Sequence, residues 1–338
     1  MRQEATIEEW RDLYRVGTKI KALKPWEKFG DTDLIGIQEK KEENTVFFSI
    51  LGRDGDCCGV AAYEGYKGLN DFLMLTKQES MGLSMEYAMF SQNNLTCYWG
   101  NEEELSFEQQ ELIRELGYHY EGKNQWMYFM SYCAGYYPYN FDQAEVQRMT
   151  RYLTQLEAAL RYYDENGLSV DFEQDNMYLF FYDQRNDGWS GRSRSLPFTT
   201  YNFRNLELTD TALLDKVKKA EENGRILEAD IPYMGVSVND SQYDRPGNPY
   251  MCLIGDVSAG QVLKADIVGP RVDPNILLAE YIVQYIVSYG VPEEIRVKNI
   301  IVEAILDHVC RLSDIRLQRV EELEVLDEFL DAMRKEYP

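Results

Sequence analysis

Met251-Cys252-Leu253-Ile254-Gly255-Asp256-Val257-Ser258-Ala259-Gly260-Gln261-Val262-Leu263 reads as strand, turn, strand. An apolar run ends at Asp256, whose side chain is suited to open the Ser258-Ala259-Gly260 turn by accepting from backbone N–H groups. The chain then resumes a strand over 261–268, and upstream a third extended stretch covers 225–238, after a helix over 209–223 that Gly224 stops. Downstream the order is a helix over 275–289 ended by Gly290, a strand over 294–297, a helix over 299–311, a strand over 315–320 and a final helix to Lys335. Three strands joined by hairpins and then helix, strand, helix, strand, helix make a mixed α/β sheet.

That order, and the wording of 251–263 and of Gly290-Val291-Pro292-Glu293-Glu294-Ile295-Arg296-Val297, resembles the ribonuclease H-like fold of integrase and transposase cores. The resemblance covers about residues 227–337. It implies carboxylates that hold two divalent metals beside a scissile phosphate, one metal for each reacting oxygen. The first acidic position carries over to Asp230. The second falls at Lys298, with Asn299 beside it, and an ammonium opposes a metal rather than ligating it. The last helix is too rich in Asp and Glu to single out a third carboxylate. The resemblance therefore implies the fold without its nuclease chemistry.

Upstream, the spacing of Trp10, Leu13, Tyr14, Ile20 and Leu23 predicts a helix over 7–23, stopped by Pro25. Strands are predicted over 33–38, 45–51 and 57–63, a helix over 67–75, and a strand over 95–99; the stretch 76–93 has no single reading. Ser106 with Gln109 is a capping box for a helix that Gly117 ends. Extended segments follow over 118–121 and 126–133. A long helix over 142–165, with Val146, Met149, Leu153, Leu156 and Leu160 on one stripe, is read as a bridge. The division expected is an N-terminal α+β domain over 1–141, a bridging helix and linker over 142–176, and the ribonuclease H-like domain over 177–338. Because strands, helices and glycine turns fall in comparable places from Asp33 onward, the N-terminal domain is a candidate divergent copy of the C-terminal fold.

The 338 residues carry a net charge of −23, which repels phosphate backbones and disfavours nucleic acid as a partner. Arg185, Arg192, Arg194 and Arg204 form the one local basic cluster, read first as a solvated hairpin. An aromatic content of 13%, including 25 tyrosines, argues for filled cores and against disorder. Six cysteines without a CxxC pair, and only His119 and His308, give no zinc site of standard spacing. The start MRQEATIEEW lacks the apolar stretch of a signal peptide and no 18-residue apolar run exists, so a cytoplasmic protein with reduced thiols and no membrane segment is expected.

Lys123, Asn124, Gln125 and Trp126 place polar groups, a cation and a large aromatic beside a turn and are candidates for holding a ligand. An ordinary turn over a filled core accounts for the same residues. Tyr136, Tyr137 and Tyr139 around Pro138 are candidates for a recognition surface, or for covering the joint between the long helix and the sheet. Asp230 and Asp256, with Asp266 on the next strand, are metal candidates if they converge, with Mg²⁺ the ion such a site would take. Otherwise Asp256 is a turn residue. No P-loop, GxGxxG or Gly-x-Ser-x-Gly signature is present.

Lys24-Pro25-Trp26-Glu27, Gly122-Lys123-Asn124-Gln125-Trp126 and Gly135-Tyr136-Tyr137-Pro138 resemble an uncharacterised bacterial protein family, which implies a bacterial cytosolic protein. The function expected is a non-catalytic binding or interaction protein on an inactivated ribonuclease H-like scaffold, with no cofactor and with a protein or small molecule as partner. The alternatives are a metal-dependent hydrolase acting on nucleotides or nucleic acid, and an acidic partner of a basic protein. Against the last, Glu321, Glu322, Glu324, Asp327, Glu328 and Asp331 alternate with Leu323, Leu326 and Leu330 as in an ordinary amphipathic helix.

Overall fold

Thr6 and Glu9 reciprocate at the start of α1 (Ile7–Leu23): the Glu9 N–H donates to Thr6 Oγ1 at 3.3 Å, and the Thr6 N–H donates to Glu9 Oε2 at 2.8 Å. The computed structural model describes residues 2–39, 41–55, 57–199 and 207–336. After α1 come β1 (Ile35–Gln38), β2 (Val46–Leu51), β3 (Cys58–Glu64), α2 (Gly65–Thr76), α3 (Met85–Ser91), β4 (Asn94–Gly100), α4 (Phe107–Leu116), β5 (Trp126–Tyr132), α5 (Gln143–Glu165), β6 (Asn176–Asp183) and β7 (Gly188–Ser195). The chain continues through α6 (Thr211–Lys219), β8 (Ile226–Asp230), β9 (Tyr250–Asp256), β10 (Gln261–Val268), α7 (Pro274–Tyr289), β11 (Glu294–Val297), α8 (Ile300–Leu312), β12 (Arg316–Arg319) and α9 (Glu324–Glu336). Two compact units share these elements: Met1–Thr76 with Gln92–Cys133 and Pro138–Thr200, and Lys77–Ser91 with Ala134–Tyr137 and Tyr201–Pro338. No helix of the described residues is long and apolar enough to cross a membrane.

The first unit is built on a seven-stranded sheet in the order β5-β4-β3-β2-β1-β6-β7. Strand alternation sends successive side chains to opposite faces. Phe48, Ile50, Tyr178 and Phe180 face one core with α1 and α5, while Phe47, Met177 and Leu179 face the other with Leu69 and Phe72 of α2. The α5 stripe Val146, Met149, Leu153, Leu156 and Leu160 is buried in the first of these cores.

The second unit has a five-stranded sheet in the order β10-β9-β8-β11-β12. β8, β9 and β10 form an antiparallel meander, and β11 and β12 add in parallel beyond β8. One face carries α7 and α8, with Leu227, Ala229, Ile254, Ile295 and Val297 packed on Leu278, Ile282, Ile305 and Leu306. The other face carries α9, whose Leu326 joins Leu323, Met251 and Leu253 in a separate core.

Several expectations need correction. The helix over 142–165 is no bridge, because α5 lies wholly in the first unit against its sheet. The boundary expected at 177 also moves: β6 pairs in parallel with β1, so residues up to 200 complete the first sheet. Residues 77–91, a single 3₁₀ turn and α3, belong to the second unit although they interrupt the first in sequence. The first unit is no copy of the second, because β4 pairs antiparallel with β3 whereas β11 pairs parallel with β8. The extended segment over 118–121 forms no strand. β8 stops at Asp230, where the chain turns into a loop through Pro232.

Candidate functional site

β8 and β11 are parallel neighbours, and Glu228 is level with Arg296. Two residues further along, Asp230 ends β8, and Lys298 and Asn299 lead from β11 into α8. Clefts in sheets of this kind open where parallel strands end and helices begin. Here the cleft holds about 690 Å³, closed on one side by Asp327, Leu330 and Asp331 of α9 and on another by Gly82, Leu83, Ser84 and Tyr87. Its carboxylates are Asp230, Glu321, Glu322, Glu324, Asp327 and Asp331, against the cations Lys298 and Arg334.

The acidic groups at its floor are tied up by neighbours. Lys298 Nζ donates to both carboxylate oxygens of Asp327, at 2.6 and 2.7 Å. Asp327 Oδ2 also accepts the Leu323 N–H at 2.9 Å, which seats this pair at the start of α9. Asn299 caps α8 by accepting the Val302 N–H at 2.9 Å, and its Nδ2 donates to Asp230 Oδ1 at 3.1 Å. Behind them Glu228 is fully buried, and its Oε2 accepts the N–H groups of Val325 and Leu326 at 3.0 Å each. A carboxylate at a helix N-terminus is favoured by the unpaired N–H groups and the dipole. Glu228 and Asp327 thus clamp α9 to β8 and to the β11–α8 junction. Burial raises the Glu228 carboxyl, opposed by those N–H groups. Among the described residues no three His, Cys, Asp or Glu side chains are grouped to hold a metal ion.

A family model described as a domain of unknown function (DUF7309) matches residues 10–180, which is 171 of the 338 residues. The chain belongs to this family. A second model, also a domain of unknown function (DUF6930), matches residues 213–334 and so spans the whole cleft apart from its 82–87 wall. No curated protein and no solved structure matches the chain.

Within the DUF6930 match, burial pushes the Asp230 carboxyl from 3.8 up to about 6, opposed by the Ile231 N–H and the nearby Lys298. The folded state therefore holds this proton more tightly than the unfolded chain. Stability is highest below pH 3.8 as far as this group is concerned and is lost as pH rises toward 6. The loss is about 3 kcal/mol at most. Asp230→Asn keeps an oxygen for Asn299 and removes the titration. It is expected to leave stability at pH 4 unchanged and raise it at pH 7, as read from urea unfolding at both pH values.

Asp256 does not join Asp230. In the β8–β9 ladder Asp256 faces Leu227 and Asp230 faces Leu253, so the two stand three residues apart, about 10 Å along the strand. Asp256 Oδ1 accepts the Ala259 N–H at 3.0 Å and Oδ2 takes Arg225 Nη1 at 2.6 Å, which makes it the turn residue. Asp266 pairs with Lys264 at 2.9 Å and accepts from the Tyr281 hydroxyl.

Within the DUF7309 match, the turn at 122–125 is knitted into the first unit. Asn124 sits at φ 56° and its N–H donates to Asn101 Oδ1 at 3.1 Å, while Gln125 Oε1 accepts from Lys21 Nζ at 2.7 Å. Lys123 is exposed, and Trp126 meets Tyr120 edge-on at 5.9 Å. Tyr136 and Tyr137 belong to the second unit, against Tyr243 and Phe90 at 5.9 and 5.0 Å. The two groups of candidates therefore lie in different units. Of the basic cluster, Arg194 pairs with Glu42 at 2.6 Å and Arg192 lies over the Phe181 ring; Arg204 lies outside the described residues. His119 is exposed in the first unit and His308 half-buried in the second.

Asp327 is the residue that sequence reasoning missed. Glu324, Asp327, Glu328 and Asp331 look alike along an amphipathic helix. The available signal was position: Asp327 follows Leu326 on the border of the apolar stripe of buried Leu323 and Leu326 and half-buried Leu330, one turn inside the helix start.

Proposed function

We propose that the protein is a non-catalytic binding or interaction protein whose second unit keeps a ribonuclease H-like scaffold and whose nuclease cleft is closed by its own lysine. The strand order β10-β9-β8-β11-β12, with an antiparallel meander followed by parallel strands and helices between them, supports the scaffold. The observation that carries the function is the Lys298–Asp327 pair. Two-metal hydrolysis needs carboxylates free to bridge divalent ions. Here an ammonium stands among them, and Asn299 engages Asp230. The acidic rim and the net charge of −23 favour a protein or small molecule with positive charge over nucleic acid. All six thiols are unbridged, which supports a reducing, cytosolic setting; with the family motifs, that makes a bacterial cytosolic protein the reading. No cofactor belongs to it.

A second reading, a Mg²⁺-dependent hydrolase of nucleotides, draws on Asp230, a desolvated carboxyl in a cleft of the kind that marks functional sites. Calorimetric titration of the wild-type protein with Mn²⁺, together with hydrolysis assays on nucleotides and oligonucleotides, separates the two. No saturable binding and no turnover are expected. Stoichiometric Mn²⁺ binding that Asp230→Asn abolishes would establish the second reading instead.

A further inference from the structure

β10 is an edge strand of the second sheet, bonded to β9 on one side. Its residues alternate between exposed and half-buried from Gln261 to Ile267, and two large apolar side chains, Leu263 and Ile267, are 39% and 63% exposed. Exposed apolar edges invite pairing with another strand, and proteins usually blunt them with charge. β10 does carry charges, but as an opposite pair two residues apart: Lys264 and Asp266, with side chains 41% and 39% exposed.

We infer that β10 pairs edge to edge with β10 of a second copy of this chain, antiparallel about a two-fold axis at Ala265. The charges select that register. A two-fold axis normal to the sheet keeps each face continuous, so facing residues share a face and the axis passes through a residue rather than between two. Lys264 and Asp266 lie on one face, opposite Ile254 and Cys252 of β9, and Ala265 and Ile267 on the other, opposite Leu253 and Met251. An axis at Lys264 sets lysine against lysine, and one at Asp266 sets aspartate against aspartate. An axis at Ala265 sets Lys264 against the partner copy's aspartate twice over. Facing opposite charges stabilise antiparallel ladders, and facing like charges destabilise them. The register break between Val262 and Lys264 confines regular pairing to the short stretch around Ala265. The interface is therefore small, and association is micromolar rather than nanomolar.

Sedimentation velocity over a concentration series up to about 100 µM tests this. The wild type is expected to pass from monomer to dimer. Lys264→Asp and Asp266→Lys each turn both symmetry-related attractive pairs into repulsive ones and weaken the dimer about thirtyfold. An equimolar mixture of the two variants, and the double variant K264D/D266K, are expected to dimerise like the wild type. Circular dichroism of each variant confirms that it is folded. A wild type still monomeric at the top of the series would overturn the inference. So would a dimer indifferent to both single substitutions, or single-variant losses that mixing does not restore.

Discussion

Gly82→Ala is expected to destabilise the second unit by about 3 kcal/mol, read as a lower midpoint for that unit in urea unfolding. Two costs add. Gly82 closes the 3₁₀ turn Glu79–Met81 at φ 68°, a left-handed conformation that costs an L-residue about 1 kcal/mol. A methyl group there would stand 2.3 Å from the Lys298 carbonyl oxygen and 3.3 Å from its carbonyl carbon. Those are backbone atoms at the β11–α8 junction, so no side chain can swing aside and the junction itself must move. The substitution thus acts on the same backbone that aims Lys298 at Asp327. Gly122→Ala is the control: its φ is also positive, at 87°, but no atom lies within 4 Å of the added methyl. It is expected to cost the conformational share alone, about 1 kcal/mol. Equal effects from the two substitutions would mean that the 77–91 segment is not held against the junction.

Lys298→Asp is expected to give the protein a divalent-metal dependence that the wild type lacks. The change removes the ammonium that satisfies Asp327 and adds a third carboxylate beside Asp327 and Asp230. Like charges brought together in a half-buried site repel, so in EDTA the variant should melt below the wild type. Adding Mn²⁺ should restore it, because an ion that binds only the folded state stabilises by about 2.7 kcal/mol at a hundredfold excess over its dissociation constant. The wild type is expected to be indifferent to both additions. Equal stabilisation of the wild type by Mn²⁺ would show that Lys298 does not stand where an ion would bind.

Lys298 is legible in the sequence alone, as a cation at a position where the resemblance requires an acid. Its counter-ion is not. The acidic residues of α9 differ only in which of them lands against the β11–α8 junction, and the docking of Leu323 and Leu326 on Met251 and Leu253 decides that. Asp230 and Asp256 show the converse. Their neighbouring strands made convergence conceivable, but the register puts Asp256 level with Leu227 and keeps them at opposite ends of β8.

What the sequence determined by itself is what residues settle within a few positions of themselves. The capping box of Ser106, the turn that Asp256 opens and the stripe of α5 all stand as read. So does the hairpin of β9 and β10, because a four-residue turn joins them, whereas β8 ends eight residues short of its expected span and reaches β9 only through the loop 231–249. Tertiary structure alone decided that β6 returns to lie parallel beside β1, that residues 77–91 join the second unit, and which carboxylate meets Lys298. In each case the choice among distant partners rests on burying two apolar faces together, and an apolar stripe records that it needs a partner without recording which one.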